Sequence, residues 1–364
     1  MSVQPNTDAD AQPVRLSEAQ LRETCTALVA AFKVPAADAA QMVDVFLQAE
    51  LMGEESHGLR LFVQVVRRLR DGGDRAVLAV TPVMDRGAVA LWDADRSLGQ
   101  VVAARAMRTA IEKARAQGIG LVSVRNCNSF TSAKYYPLLA AGAGMIGAAF
   151  TNTSRKLMPP PGGITPVLGN NPVAWAAPAG RHGAWVFDMA CTEAAVERIV
   201  KAKERGEEIP AGWALDKDGH ETRDAAQALE SLSLLPFGGY KAFNLASVHE
   251  ILTSVLAAGQ LFAGDATGFL PYDRPMNTSF TLMAIDISAF QPVTEFETRM
   301  EAMIAAIKDA RQPEGSREAI RFPGERSLQE MARRKVDGVP LARTTWLDIN
   351  RLAQEAGTGA LPPA

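Results

Sequence analysis

Between residues 77 and 150, short apolar runs alternate with stretches of helical spacing, and this alternation constrains the fold more than any other feature of the chain. Residues 77–81 and 89–92 read as strands. Gly99 leads into a long amphipathic helix that ends at Gly118. Residues 121–124 and 145–150 are apolar runs too short for ordinary helices, with a helical stretch at 135–143 between them. Strand and helix in alternation predict a mixed α/β sheet covered by helices. Helical segments flank it. Ser17 and Gln20 have the spacing of a capping box, and Leu21, Cys25, Leu28, Val29 and Phe32 follow on one helical face. Pro35 breaks that helix, a second begins near Asp38, and a third covers 59–70 before Gly72-Gly73. Further helices are expected at 194–203, 243–258, 294–311, 327–336 and 345–356, with a late strand at 280–287. Residues 151–188 are rich in Pro, Gly and Asn and read as long loops of the kind that carry function.

A chain of 364 residues is too long for one ordinary core, so more than one domain is expected. We divide it into a disordered tail at 1–14, a helical subdomain of 15–75 with 305–358, an α/β core of 76–118 with 275–304, and a cofactor-binding domain at 119–274. The net charge of −3 argues against non-specific nucleic-acid binding, which needs a basic field. The first fourteen residues hold no apolar core of a signal peptide. Residues 138–150 are nearly apolar but too short to span a membrane. The three cysteines, Cys25, Cys127 and Cys191, form no C-x-x-C pair, so a reduced cytoplasmic protein is the simplest expectation. The four histidines, His57, His182, His220 and His249, have no metal-ligand spacing, and no metal is expected.

No G-x-G-x-x-G follows a strand and no phosphate-binding G-x-x-x-x-G-K-[ST] occurs, so an ordinary dinucleotide fold is not supported. Other segments carry a resemblance that covers nearly the whole chain. Ser56-His57-Gly58-Leu59-Arg60 is similar to a Ser-His-Gly-x-Arg signature of the type 2 malate/L-lactate dehydrogenase family. The 118–136 segment resembles that family's strand and catalytic loop. Asn152-Thr153-Ser154, Pro161-Gly162-Gly163 and Leu168-Gly169-Asn170-Asn171-Pro172 look like its cofactor and substrate loops. Asp188-Met189-Ala190 and Pro236-Phe237-Gly238-Gly239-Tyr240-Lys241 look like its nicotinamide-dinucleotide segments, and Phe322-Pro323-Gly324-Glu325 and Gly338-Val339-Pro340-Leu341 match its C-terminal pattern. The resemblance implies a mixed-sheet, non-Rossmann α/β fold with a helical subdomain built from N- and C-terminal segments. It also implies NAD(H) or NADP(H) as cofactor, a homodimer, and a small carboxylic acid as substrate.

The departures from the family pattern gather on these same segments. Its usual Asn-His-Phe-Gly run reads Asn128-Ser129-Phe130-Thr131 here, so a serine stands where the resemblance puts a proton-handling histidine. An imidazole ionises near neutrality and a hydroxyl does not. Lys134, Tyr135, Tyr136 and Lys156 are near enough in sequence to supply a substitute acid, and the sequence does not choose among them. The family's lysine-glycine pair reads Lys241-Ala242 here, Asn244 stands for a nearby glycine, and Glu197-Arg198 stands where members often have Gly-Lys.

An isolated histidine or arginine is most often structural or solvated, and the resemblance is what moves His57 and Arg60 toward function. Ser56, His57, Arg60 and Ser129 are the expected catalytic group. Arg60 also suits a planar carboxylate through two parallel hydrogen bonds, and Asn128, Gly169 and Asn170 are expected beside the substrate. Asn152, Thr153, Ser154, Asp188, Met189, Ala190, Pro236, Phe237, Gly238 and Lys241 are expected to meet the cofactor. Cys127 reads as buried filler and His249 as structural. The activity implied is hydride transfer between nicotinamide and a small 2-oxo or 2-hydroxy acid with altered proton chemistry. An imine reductase, whose substrate arrives already protonated, is the alternative, and a non-catalytic cofactor-binding homologue is the third.

Overall fold

The computed structural model describes residues 12–262 and 268–363. The chain begins with β1 (Val14–Leu16) and three helices, α1 (Glu18–Ala31), α2 (Ala36–Leu51) and α3 (Leu59–Asp71). The capping box forms as read, with Ser17 Oγ accepting the Gln20 amide and the Gln20 side chain accepting the Ser17 amide. Gly72 ends α3 in the left-handed conformation at φ 89°, where glycine carries no Cβ penalty. Then come β2 (Thr81–Arg86), β3 (Val89–Asp93), α4 (Gly99–Gln117), β4 (Ile119–Cys127), α5 (Tyr135–Gly142) and β5 (Met145–Thr151). β6 (Val173–Pro178) and β7 (Ala184–Met189) precede α6 (Val196–Arg205). The short β8 (Ala214–Leu215), β9 (Glu221–Thr222) and β10 (Ser233–Leu234), with α7 (Ala225–Ser231), form a small appendage. The chain closes with α8 (Tyr240–Glu250), β11 (Thr278–Asp286), α9 (Val293–Lys308), α10 (Glu325–Asp337), β12 (Val339–Leu341) and α11 (Arg343–Glu355).

Seven strands form one sheet in the order β2-β3-β4-β11-β5-β6-β7. Only β3 and β4 run parallel, joined by the α4 crossover; every other neighbour pair is antiparallel. Val122, Val124, Phe280 and Leu282 meet α4 and α5 on one face. Phe150, Val173 and Met283 meet Leu252 on the other. The mixed α/β sheet is therefore covered on both faces, as read from the sequence. A second core joins the two ends of the chain, with β1 antiparallel to β12 and Leu21, Leu28, Phe46 and Phe62 packed with Ile349 and Leu352.

Three expectations change. Val14, the last residue of the expected tail, sits in β1 and is 6% exposed; residues 1–11 of that tail lie outside the described residues. Residues 77–80 are not a strand; the strand begins at Thr81. The expected long loop at 151–188 contains β6 and β7, two short strands set among Pro-, Gly- and Asn-rich connections.

Candidate active site

The loop carrying His57 is fixed from below. Gly58 caps α3 without a side chain, so the first helix amide, on Leu59, donates 2.7 Å to Glu50 Oε2 of α2. A Cβ on Gly58 would collide with that carboxyl group. Burial pushes the Glu50 pKa up to about 7, against the pull of the Leu59 amide and Arg334. The His57 amide donates 2.8 Å to the Glu54 carbonyl, and Ser56 Oγ lies 2.9 Å from His57 Nδ1. With the hydroxyl donating, the ring keeps its proton on Nε2. The ring is reachable from solvent on one side but otherwise surrounded by protein. That desolvation lowers its pKa, Glu54 opposes the shift and Lys134 adds to it.

Ser129 follows β4, whose penultimate residue Asn126 has φ 53°, in a turn with Thr131 at φ 73°. Gln100 holds the turn, its amide donating 2.9 Å to the Ser129 carbonyl. Ser129 Oγ accepts the Thr131 amide at 3.3 Å. Asn128, expected beside the substrate, is 1% exposed and points away. Its amide donates to the carbonyls of Gly73 and Arg96, both at 3.0 Å, and its oxygen accepts the Met276 amide at 2.8 Å. It belongs to the fully buried cluster in which Arg68 pairs with Asp74 at 3.0 Å.

His57, Ser129, Asn152, Thr153, Arg155 and Asn170 line one cavity of about 270 Å³. Ser154 lines it too and donates 3.2 Å to the Gly268 carbonyl. Asn152 is consumed by structure: its amide donates 2.7 Å to Ser254 Oγ and its oxygen accepts the Ser279 amide at 2.8 Å. Gly169 lies under Thr153, where a Cβ would strike the threonine hydroxyl. Arg155 was not foreseen. Its only signal in sequence is a cation directly after the Asn152-Thr153-Ser154 run. Burial lowers its pKa.

The remaining expected residues lie around neighbouring openings. Ser56 and Arg60 line a cavity of about 630 Å³, where Arg60 is ion-paired to Glu197. Asp188, Lys134 and Glu54 line an opening of about 320 Å³. Pro236 and Gly238 share a cavity of about 530 Å³ with Pro161, Gly162 and Gly163, and a bridge from Thr192 to Pro236 ties them to the chain just beyond Asp188, Met189 and Ala190. Phe237 packs with Met158, Leu168 and Cys191, and Lys241 is exposed in the first turn of α8. Of the substitute acids, Tyr135 donates 2.6 Å to Asp44, Tyr136 donates to the Phe130 carbonyl, and Lys156 is exposed. Lys134 is 7% exposed. Cys127 is buried as filler, and His249 is buried with Nδ1 2.7 Å from the Asn171 carbonyl. Among the described residues, no group of three or more His, Cys, Asp or Glu is placed to hold a metal, and no helix is long and apolar enough to cross a membrane.

Fold and site together define an α/β protein whose mixed sheet and cavity differ from a doubly wound dinucleotide fold. A sequence model described as malate/L-lactate dehydrogenase matches residues 16–350. The chain is 34% identical over 360 residues to a malate dehydrogenase of Pyrococcus abyssi, covering 97% of this chain and 98% of that protein. The solved sulfolactate dehydrogenase of Methanocaldococcus jannaschii superposes with a TM-score of 0.88 at 33% identity, over 95% of this chain and 98% of that one. The malate dehydrogenase structure from Pyrococcus horikoshii gives 0.87 at 31% identity, over 99% and 100%. The chain belongs to the malate/L-lactate dehydrogenase family.

Proposed function

We propose that the chain is an NAD(P)-dependent oxidoreductase that transfers a hydride between nicotinamide and a small 2-oxo or 2-hydroxy acid, working as a homodimer. The observation that carries this reading is the convergence of His57, Ser129 and the 152–155 loop, far apart in sequence, on one cavity of about 270 Å³. The relatives are named malate dehydrogenase, L-sulfolactate dehydrogenase and 2,3-diketo-L-gulonate reductase, and the first two names are of enzymes acting on 2-hydroxy acids.

The chain also fits the cofactor. Gly238 and Gly239 have φ of 58° and 66°, with open space where a Cβ would stand, so their backbone is bare to an approaching group. They lead into the N-terminus of α8, with Lys241 in its first turn. Bare amides, a helix N-terminus and a lysine are the donor set that a diphosphate needs. When bound, the nicotinamide supplies the hydride, and the protein supplies orientation, charge and the proton path. His57 is the group in the cavity suited to exchange the substrate proton, held by Ser56 and Glu54. Ser129 offers a hydroxyl to the substrate oxygen. Arg155 gives the cavity wall a guanidinium suited to a carboxylate, whereas Arg60 reaches the acid only by leaving Glu197. Titration calorimetry with NADH and NADPH tests the assignment: one of them binds, and failure of both to bind the folded protein overturns it.

A further inference from the structure

We propose that Lys134 is a positioning residue of the reaction centre, its buried ammonium paired with the Glu54 that anchors His57 and its backbone amide held by Asp188, so that a fixed positive charge bears on the imidazole. This rests on reading the His57 cavity as the reaction centre.

The geometry is built from several contacts. Lys134 precedes α5 and is almost fully buried. Its ammonium pairs with Glu54. Its backbone amide donates 2.9 Å to Asp188 Oδ2 at the end of β7. The other Glu54 oxygen accepts the Ser132 hydroxyl at 2.9 Å, so the carboxylate cannot swing away without losing two partners. The Glu54 carbonyl receives the His57 amide. The ammonium thus touches the residue whose carbonyl anchors His57, and the backbone amide of the same lysine ties it to the strand end that carries Asp188. Burying a lysine is costly unless a counter-charge accompanies it, and Glu54 is that counter-charge.

The consequence falls on His57. The charged groups around it are Glu54 in its own loop, Lys134 before α5, Asp188 on β7 through the Lys134 contact, and Arg155 across the cavity. Arg321 and Arg326 stand on the rim of the opening behind Lys134. The nearby ammonium disfavours a second positive charge on the imidazole, and Glu54 favours it. Asp188 is raised by burial and by Glu54, and Lys134 draws it back toward the ionised form. Desolvation is the largest influence and lowers the His57 pKa; Glu54 opposes it, and Lys134 adds to it and so offsets part of the Glu54 pull toward imidazolium. A neutral imidazole accepts the proton that a 2-hydroxy acid loses from its hydroxyl oxygen, becoming an imidazolium; the reverse step returns that proton to the oxygen of a 2-oxo acid. Ser129 then needs to donate only a hydrogen bond.

The test needs neither cofactor nor substrate. Ring resonances of the four histidines are followed against pH by NMR in the wild type, with His57→Gln identifying the His57 signal. Lys134→Met should raise the His57 pKa by about half a pH unit or more, as expected for removing a unit charge within several ångströms. Lys134→Arg should leave it near the wild-type value. Glu54→Gln should move it the opposite way, which keeps the test decisive if Lys134→Met does not fold. An unmoved His57 titration in Lys134→Met, or a downward shift, overturns the proposal, as does an unmoved or raised one in Glu54→Gln. Loss of cofactor binding alone would count against the oxidoreductase reading and not against this one.

Discussion

Ser129 brings a hydroxyl to the wall of a cavity whose chemistry, on our reading, needs a group that ionises near neutrality, and the imidazole present there is His57. The two residues should therefore differ sharply in what their loss costs. A placed acid or base is typically worth ~10²–10⁴ in rate, and a neutral hydrogen bond on the order of 1 kcal/mol, or several-fold. We expect His57→Ala to lower kcat/KM by about 10²-fold or more and Ser129→Ala by less than about tenfold. Both are to be measured on 2-oxo acids and on cyclic imino acids. Equal damage from the two would make Ser129 the central catalytic group. Ser129→His should raise turnover of simple 2-oxo acids by placing a second ionisable group beside the substrate oxygen. Arg60 gives a different lesson at this scale. Its place one turn beyond His57 is readable in the sequence, but the Glu197 that holds it comes from a helix 137 positions later, and no local pattern announces that pairing.

The element on which the site depends most is the N-terminus of α3, and its cap is not local. An ordinary cap is a Ser, Thr, Asp or Asn just before the helix; here the acceptor is Glu50, nine residues back and buried. The titration sign follows from its environment. The folded pKa of about 7 lies above the ordinary 4.5, so between these values the native protein binds more protons than the unfolded chain. Stability from this group is full below the lower value, falls as pH rises through the window, and is level above about 7. Glu50→Gln keeps an acceptor oxygen and removes the titration. Its stability relative to the wild type should rise by about 1–3 kcal/mol between pH 5 and 8, measured by chemical denaturation. A constant difference across that range would mean that Glu50 does not titrate there. The elements themselves were legible where they were long and periodic: α1, α3, α4 and α9 to α11 appear within a few residues of their expected spans. β6 was not, because its Ala-rich Val173–Pro178 run carries little β-branched signal; β7 does carry Trp185, Val186 and Phe187, but that short run is subsumed in the Pro-, Gly- and Asn-rich stretch around it.

At the scale of the whole molecule, the sequence singled out most of the segments that line the candidate cavities but not how they share them. Ser56, His57 and Arg60 are neighbours in the chain, yet the turn into α3 sends His57 to one cavity and Ser56 and Arg60 to another. That division depends on where α6 and the 151–155 loop pack, which is tertiary information. Assembly lies one step further out. Val248, Ile251 and Val255 are 47%, 55% and 54% exposed at spacings of three and four residues along α8 and the helical turn after it. These residues form one stripe, and an exposed apolar stripe of this kind marks an interaction surface. The neighbouring Leu256 extends it at 55% exposure. On our reading its partner is a second copy of this chain, because an isologous two-fold contact sets the same apolar patch against itself. Sedimentation at micromolar concentration should then give about twice the 38.9 kDa chain mass. The pair Ile251→Lys and Val255→Lys should shift the protein to monomer by placing like charges in a desolvated contact. A wild type that sediments as a monomer, or a double variant that remains fully dimeric, would remove this stripe from the assembly.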